Sequence, residues 1–260
     1  MTHQPKKCCV ISHERSGTHF LMNTLALNFG YVVKPWWNLD YETGLNFHAP
    51  AALKRYLGQA DGRVVRNILK SHHHVEFFRP ILGYLTDQFH VFYVYRDPRA
   101  VMCSFWRMIK GLQWDEGPVT ASAGEFMRAA PRGALLRYQK HQAPTMLARW
   151  ADHVSGWLDV AEQEAPVTLV RYEDLNDGFD DAVTRLGRAL GQAVFAPRRP
   201  GLTENVVAPG HGQSRGYADL LSIDDLTYVD ASVGGLLERL NYRREHGDQA
   251  GASSGSRSVG

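Results

Sequence analysis

The stretch from Lys7 to Gly30 constrains the fold more than any other part of the chain. Lys7 to Ser12 is short and mostly apolar, the pattern of a buried strand. The turn His13-Glu14-Arg15-Ser16-Gly17 follows. From Thr18 onward, Phe20, Leu21, Thr24, Leu25 and Asn28 recur at spacings of three and four, which predicts a helix, and Gly30 supplies its stop. A strand, a glycine-bearing turn and a helix aim backbone N–H groups and the helix dipole at one spot, which suits an anion. Gly17 lets the backbone come close, Ser16 and Thr18 add hydroxyls, and Arg15 adds a fixed positive charge. The bland alternative is an ordinary helix start. The Walker A pattern is not met: no glycine precedes the turn, and His19 rather than lysine follows Gly17-Thr18.

The rest of the chain repeats the alternation. Arg63–Ser71, His90–Tyr95 and Val167–Tyr172 read as strands. Asp97-Pro98 starts a helix with the apolar stripe Val101, Phe105 and Met108. Phe179–Leu190, ended by Gly191, is a second amphipathic helix, and Ser222-Ile-Asp-Asp225 resembles a capping box that opens a third. Trp36–Pro50 reads as an aromatic loop and Gly111–Pro144 as an irregular polar insertion. Alternating strands and helices predict an α/β fold: three layers, a central and mainly parallel sheet, helices on both faces. Ligands of such sheets sit beyond the carboxyl ends of the strands. We expect one domain over 1–246 and a disordered Gly/Ser-rich tail over 247–260.

Charge narrows the partners. With 29 basic and 27 acidic residues the net charge is +2, so nothing global argues for nucleic acid or a membrane surface, and any anion site is local. Three cysteines (Cys8, Cys9, Cys103) make no disulfide framework. No apolar run approaches the ~18 residues of a spanning helix. A cytoplasmic protein without membrane insertion is the expectation.

Two further stretches carry chemistry. Arg96 ends a predicted strand, and Ser104 follows eight residues on, about two helical turns along the next helix. A guanidinium and a hydroxyl so spaced suit one phosphate, although a structural arginine and a tolerated serine fit the pattern too. Lys70-Ser71-His72-His73-His74 lies at the end of another strand. Neutral imidazole is suited to proton abstraction near pH 7. Strand alternation sets His72 and His74 on the face of Lys70, with His74 ~6–7 Å further along. Plain loop histidines and a metal site are the competing readings, and the nearest acidic residue in sequence is Glu76.

Taken together, Arg-Ser-Gly-Thr after the first strand, Arg96 with Ser104, Leu169-Val-Arg-Tyr172-Glu-Asp-Leu175 and Arg215-Gly216 resemble the sulfotransferase family. The resemblance runs from Cys8 to about Tyr242 and implies a P-loop-like fold. It implies that 3′-phosphoadenosine 5′-phosphosulfate (PAPS) is the sulfuryl donor and adenosine 3′,5′-bisphosphate (PAP) the product. The first loop, Arg15, Ser16, Gly17, Thr18 and His19, would bind the 5′-phosphosulfate. Arg96 and Ser104 would bind the 3′-phosphate. Phe20 falls where cytosolic members carry a tryptophan against adenine, and Tyr172 matches an adenine-contacting tyrosine. Arg215-Gly216 resembles a shortened C-terminal nucleotide motif. The Lys70-Ser71-His72 run is similar to the family's Lys-Thr-His, which implies His72 as general base and Lys70, with Arg15, as charge stabilisers. His19 departs from the family's second threonine, and Arg15 from the lysine of cytosolic members. No metal is implied.

The acceptor would be a small molecule with a hydroxyl or amine. Trp36, Trp37, Tyr41 and Phe47 are candidates for an apolar acceptor wall or for core. The rival enzyme is a P-loop kinase or other nucleotide-phosphate transferase, for which Asp97 is the candidate magnesium ligand. A third reading is a nucleotide-binding module without catalysis.

Overall fold

The computed structural model describes residues 6–59, 67–112, 115–201 and 216–242. Residues 63–66 of the expected second strand, Arg215 and the tail 247–260 lie outside these.

Five parallel strands form one sheet in the order β2-β3-β1-β4-β5. They are β1 (Lys7–Ser12), β2 (Val32–Asn38), β3 (Asn67–Ser71), β4 (Phe89–Tyr95) and β5 (Val167–Arg171). The helices are α1 (Thr18–Phe29), α2 (Pro50–Gln59), α3 (Leu82–Gln88), α4 (Pro98–Lys110), α5 (Ala123–Arg128), α6 (Met146–Gln163), α7 (Tyr172–Asp177), α8 (Phe179–Leu190) and α9 (Ile223–Arg239). Strand alternation divides the core in two. Cys8 and Val10 of β1, Ile68 of β3, and Phe92 and Val94 of β4 pack with α1 and α8. Cys9, Ile11, Leu69, Val91 and Tyr93 face the other way, against α4, α6 and α9. The sheet is thus buried on both faces, as parallel sheets require. Among the described residues, no helix is long and apolar enough to cross a membrane.

The expected α/β architecture stands, with two local corrections. Trp36–Pro50 is not simply a loop: β2 runs through Trp36 to Asn38, and a 3-10 turn, Leu39–Tyr41, follows. Pro35 hid this strand, but β2 lies at the sheet edge, where a missing N–H is tolerated, and its register shifts between Val32 and Trp37. The insertion after α4 contains α5 and a 3-10 stretch, Gly133–Tyr138.

The central strand positions the site. From β1 the chain goes first to the edge strand β2, returns to β3 beside β1, then crosses to β4 and β5 on the other side. The order reverses at β1, and in sheets of this kind ligands bind over the carboxyl ends of the strands at such a reversal. The loops after β1, β3 and β4 meet there.

Candidate functional site

The loop after β1 makes a cradle. Arg15 has φ +65° and Gly17 φ +101°, so the chain turns through two left-handed residues before α1. No side chain caps the start of α1, and its first turn holds no acidic residue. A Cβ on Gly17 would run into the Tyr172 ring. The Thr18 hydroxyl is bound to Ser12 Oγ at 2.6 Å. Ser16 Oγ is fully buried and has no hydrogen-bond partner among the described residues. A buried orphan hydroxyl normally costs ~1–3 kcal/mol, so it marks a place where a ligand oxygen belongs. Together with the uncapped N–H groups it fits a phosphate or phosphosulfate. Phe20, half-buried on the first turn of α1, meets Tyr172 edge-on and stacks with Phe179, each at 6.2 Å.

Strand register brings the second cation in. Tyr95 pairs with Arg171, which sets the next residues, Arg96 and Tyr172, side by side. The Arg96 guanidinium lies 4.2 Å from the centre of the Tyr172 ring, and its Nη1 donates to the Arg15 carbonyl at 3.3 Å. Ser104, on α4, accepts from Arg15 Nε at 3.0 Å, and Arg15 Nη1 lies 3.8 Å from Met108 Sδ. Arg15 therefore links the two residues read as a phosphate pair. Its side chain lies along α4, and no carboxylate among the described residues pairs with it. Burial, then the charge of Arg96, pull its pKa below the ordinary value. Two mutually repelling guanidiniums with no acid to balance Arg15 favour a multivalent anion. Asp97 is the helix cap that the sequence suggested: it accepts from the Arg99 N–H at 2.8 Å and pairs with the Arg99 side chain at 2.6 Å. Gly216 is exposed, and the neighbouring Tyr217 carries the Arg99 guanidinium over its ring at 4.9 Å.

Opposite these lie Lys70 and the three histidines. β3 ends at Ser71, so strand alternation does not govern His72 to His74, and the three rings diverge. Ile11 pairs with Ser71, which sets His72 beside Ser12. His72 Nδ1 lies 2.8 Å from the Ser12 carbonyl, to which it can only donate, and Nε2 keeps the lone pair. His73 is held by Ser71 Oγ at 2.9 Å and stacks on Phe47 at 3.8 Å. His74 turns away, with Nε2 3.3 Å from Asp152 Oδ2. The His72 side chain is 12 % exposed against 2 % for His73, so it is the more open to a substrate. Burial, followed by the Lys70 charge, holds His72 below its ordinary pKa and therefore neutral at pH 7. Burial takes His73 down to about 3.

Sequence reasoning missed Asp40. Asn38 pairs with Lys70, and two residues later the buried Asp40 turns back over the end of β3. It forms an ion pair with Lys70 and accepts from the His72 backbone N–H at 2.8 Å. Although burial opposes ionisation, Lys70 and then His72 take its pKa down to about 2. Also missed was a buried network. Arg149 grips Glu14 through two bonds of 2.9 and 2.7 Å, and its Nη1 lies 2.7 Å from His13 Nε2. His153 joins Tyr93 Oη at 2.9 Å to the His72 carbonyl at 3.1 Å. The available signal was a polar pair, Arg149 and His153, four residues apart on the apolar stripe of α6. Of the proposed acceptor wall, Phe47 reaches the site through His73, Trp37 is core between Tyr56 and Phe89, and Tyr41 is 70 % exposed.

Uncapped backbone N–H groups and two arginines at the strand end where a parallel sheet reverses are an arrangement that suits an anion. The model of the sulfotransferase domain matches residues 5–199, and the chain belongs to that family. It is 27 % identical over 135 residues to mouse sulfotransferase 2B1, a match spanning 50 % of this chain but only 35 % of that protein. Among solved structures, the fold is similar to retinol dehydratase in complex with retinol and PAP (TM-score 0.59, 16 % identity, 94 % of this chain and 84 % of that one). It is also similar to a mouse sulfotransferase complexed with PAP (0.58, 14 % identity, 91 % and 88 %). A third is the sulfotransferase domain of the curacin biosynthetic pathway (0.51, 18 % identity, 92 % and 98 %). At such identities these likenesses concern the fold alone.

Proposed function

We propose that this chain transfers a sulfuryl group from PAPS to a hydroxyl or amine of a small-molecule acceptor by in-line displacement. The observation that carries this reading is the set of groups gathered at the end of β1. An anion cradle with an orphan buried hydroxyl, Ser16, and a carboxylate-free Arg15 faces a lysine and a neutral histidine. Family membership supports it, as do two fold relatives solved with PAP, one of them also holding retinol.

Ser16, Gly17, Thr18 and the α1 N–H groups would hold the 5′-phosphosulfate. Arg96 and Ser104, joined by Arg15, would hold the 3′-phosphate. Tyr172 and Phe20 would flank the base. PAPS, when bound, supplies an activated sulfuryl group on a phosphate oxygen. His72 Nε2 accepts the proton from the acceptor O–H as that oxygen bonds to sulfur, and the bridging S–O pair leaves with the bisphosphate. Lys70 and the loop N–H groups oppose the charge that builds at the departing oxygen. Phe47 and Tyr138 give the acceptor side an aromatic rim. The kinase alternative is weakened because Asp97 is committed to Arg99 and its own helix. Three free, buried cysteines support a reducing, cytoplasmic setting.

The test pairs binding with turnover. PAP without magnesium should raise the melting temperature more than ATP with magnesium, and labelled PAPS should pass label to an apolar alcohol or phenol. His72→Ala should lose about a hundredfold or more in kcat while PAP affinity is nearly unchanged. Preference for ATP with magnesium overturns the reading, as does full turnover by His72→Ala.

A further inference from the structure

Among the described residues, Asp40 is the carboxylate that touches both groups assigned to chemistry at the acceptor side. It pairs with Lys70 Nζ, accepts the His72 backbone N–H at 2.8 Å, and holds Oδ2 3.7 Å from His72 Nε2. It is 6 % exposed, on a 3-10 turn whose start is fixed by Asn38 Oδ1 accepting the Asp40 N–H at 3.0 Å. We propose that Asp40 is a positioning residue for catalysis: it orients Lys70 and His72 as one unit and offsets the positive charge that His72 acquires when it takes the acceptor proton. The inference rests on the reading of His72 as the base. Both Asp40 oxygens are engaged, and its pKa is held near 2, so it is not itself the proton acceptor. Its distance from Nε2 is too long for a hydrogen bond in the resting site but short enough for strong attraction to an imidazolium.

The surroundings of His72 decide the sign of the test. Lys70, on β3, opposes protonation of the ring, while Asp40 and, from the loop after β1, Glu14 favour it. His13, His73 and His153 are held neutral by burial, and Tyr138 presents its ring edge-on at 5.9 Å with its pKa raised. Asp40, 3.7 Å from Nε2, therefore favours a proton on the ring more than Glu14 does. Removing its charge should lower the His72 pKa and move the acid limb of kcat/KM to lower pH. A merely structural acid would leave that limb where it was.

The experiment compares Asp40→Asn with wild type in PAPS turnover across pH, alongside PAP affinity by calorimetry. Expected are a fall in kcat of about ten- to a hundredfold, the scale of a lost orienting partner, PAP affinity within about twofold, and the acid limb displaced downward. An unmoved limb, or near-normal kcat, overturns the inference. Asn leaves Lys70 buried and unpaired, so folding is controlled by Asp40→Asn/Lys70→Met, which removes both charges together. Because Lys70 is itself assigned to the reaction, the double variant is read by its melting temperature and PAP affinity alone: recovery of both toward wild type shows that the fold and nucleotide site tolerate loss of the Asp40 carboxylate, and failure to fold would make Asp40 a structural acid and overturn the inference. His72→Ala separates the two levels: if it keeps full turnover, the base assignment fails, whereas its loss beside an unaffected Asp40→Asn removes this inference alone.

Discussion

Arg15 gives the residue scale its sharpest question. From its place in the first loop it was expected to act on the transferring group, and yet its guanidinium is bonded to Ser104, on the side assigned to the 3′-phosphate. Arg15→Ala should therefore weaken PAP as well as slow turnover, with Ser104 losing its donor. Arg96→Ala should weaken PAP by about tenfold or more, since a charged hydrogen bond contributes ~1.5–3 kcal/mol, and Ser104→Ala by less. Calorimetry with PAP and with adenosine 5′-phosphate is the measurement. Equal losses for both ligands would mean that neither arginine reads the 3′-phosphate. Arg15, Ser16, Lys70 and His72 could be picked out as candidates because each sits in a contiguous strand-end motif. Asp40 was not, because its meeting with Lys70 depends on the register of β2 against β3, and that strand was hidden by Pro35. Neither was the displacement of Arg15 toward α4, which is a matter of side-chain direction.

At the scale of elements, the start of α1 joins fold and function most tightly. Gly17 serves two needs at once: a left-handed turn, and a bare Cα against the Tyr172 ring. Gly191, at the end of α8, has φ +65° but open space around it. Gly191→Ala should thus cost backbone strain alone, about 1 kcal/mol. Gly17→Ala should cost more, and it should also push Tyr172 away from Arg96 and reduce PAP affinity. Thermal melts with and without PAP distinguish the two, and an equal PAP-induced shift in both variants would mean that Tyr172 and the cradle are independent. The strand–turn–helix, the Asp97 cap and the Ser222–Asp225 capping box were all readable, because each is a local hydrogen-bonding pattern. The histidine run was misread in its geometry: β3 stops at Ser71, where pairing with β1 and β2 ends, so the chain beyond it follows its own side-chain bonds.

For the whole molecule, the alternation of strands and helices was enough to give the layered parallel fold, whereas the polar network inside it was not foreseeable. That network has a consequence for stability. His13, His73, His74 and His153 are buried, and His72 is nearly so. Burial lowers the pKa of all five, taking His13 and His73 down to about 3. In the unfolded chain each would titrate near 6.5. Below pH ~6.5 the unfolded state therefore binds protons that the folded state refuses, and stability falls as pH falls. The contribution is fully present above ~6.5 and, for His13 and His73, continues to drain until about pH 3. These two alone give a slope on the order of 3 kcal/mol per pH unit within that window, a large fraction of an ordinary domain's stability. The depressed carboxylates, Asp40 and Glu14, add their own loss only below pH ~4, as they approach protonation. Urea melts at fixed temperature from pH 8 to pH 4 should therefore show the midpoint declining from about pH 6 downward, well before carboxylates titrate. A midpoint flat to pH 4.5, with a fall only below it, would mean that the histidines charge freely within the fold. Return to pH 7.5 separates this from chemistry, because protonation of His72 in the folded enzyme reverses at once, whereas activity lost through unfolding returns only at the rate of refolding.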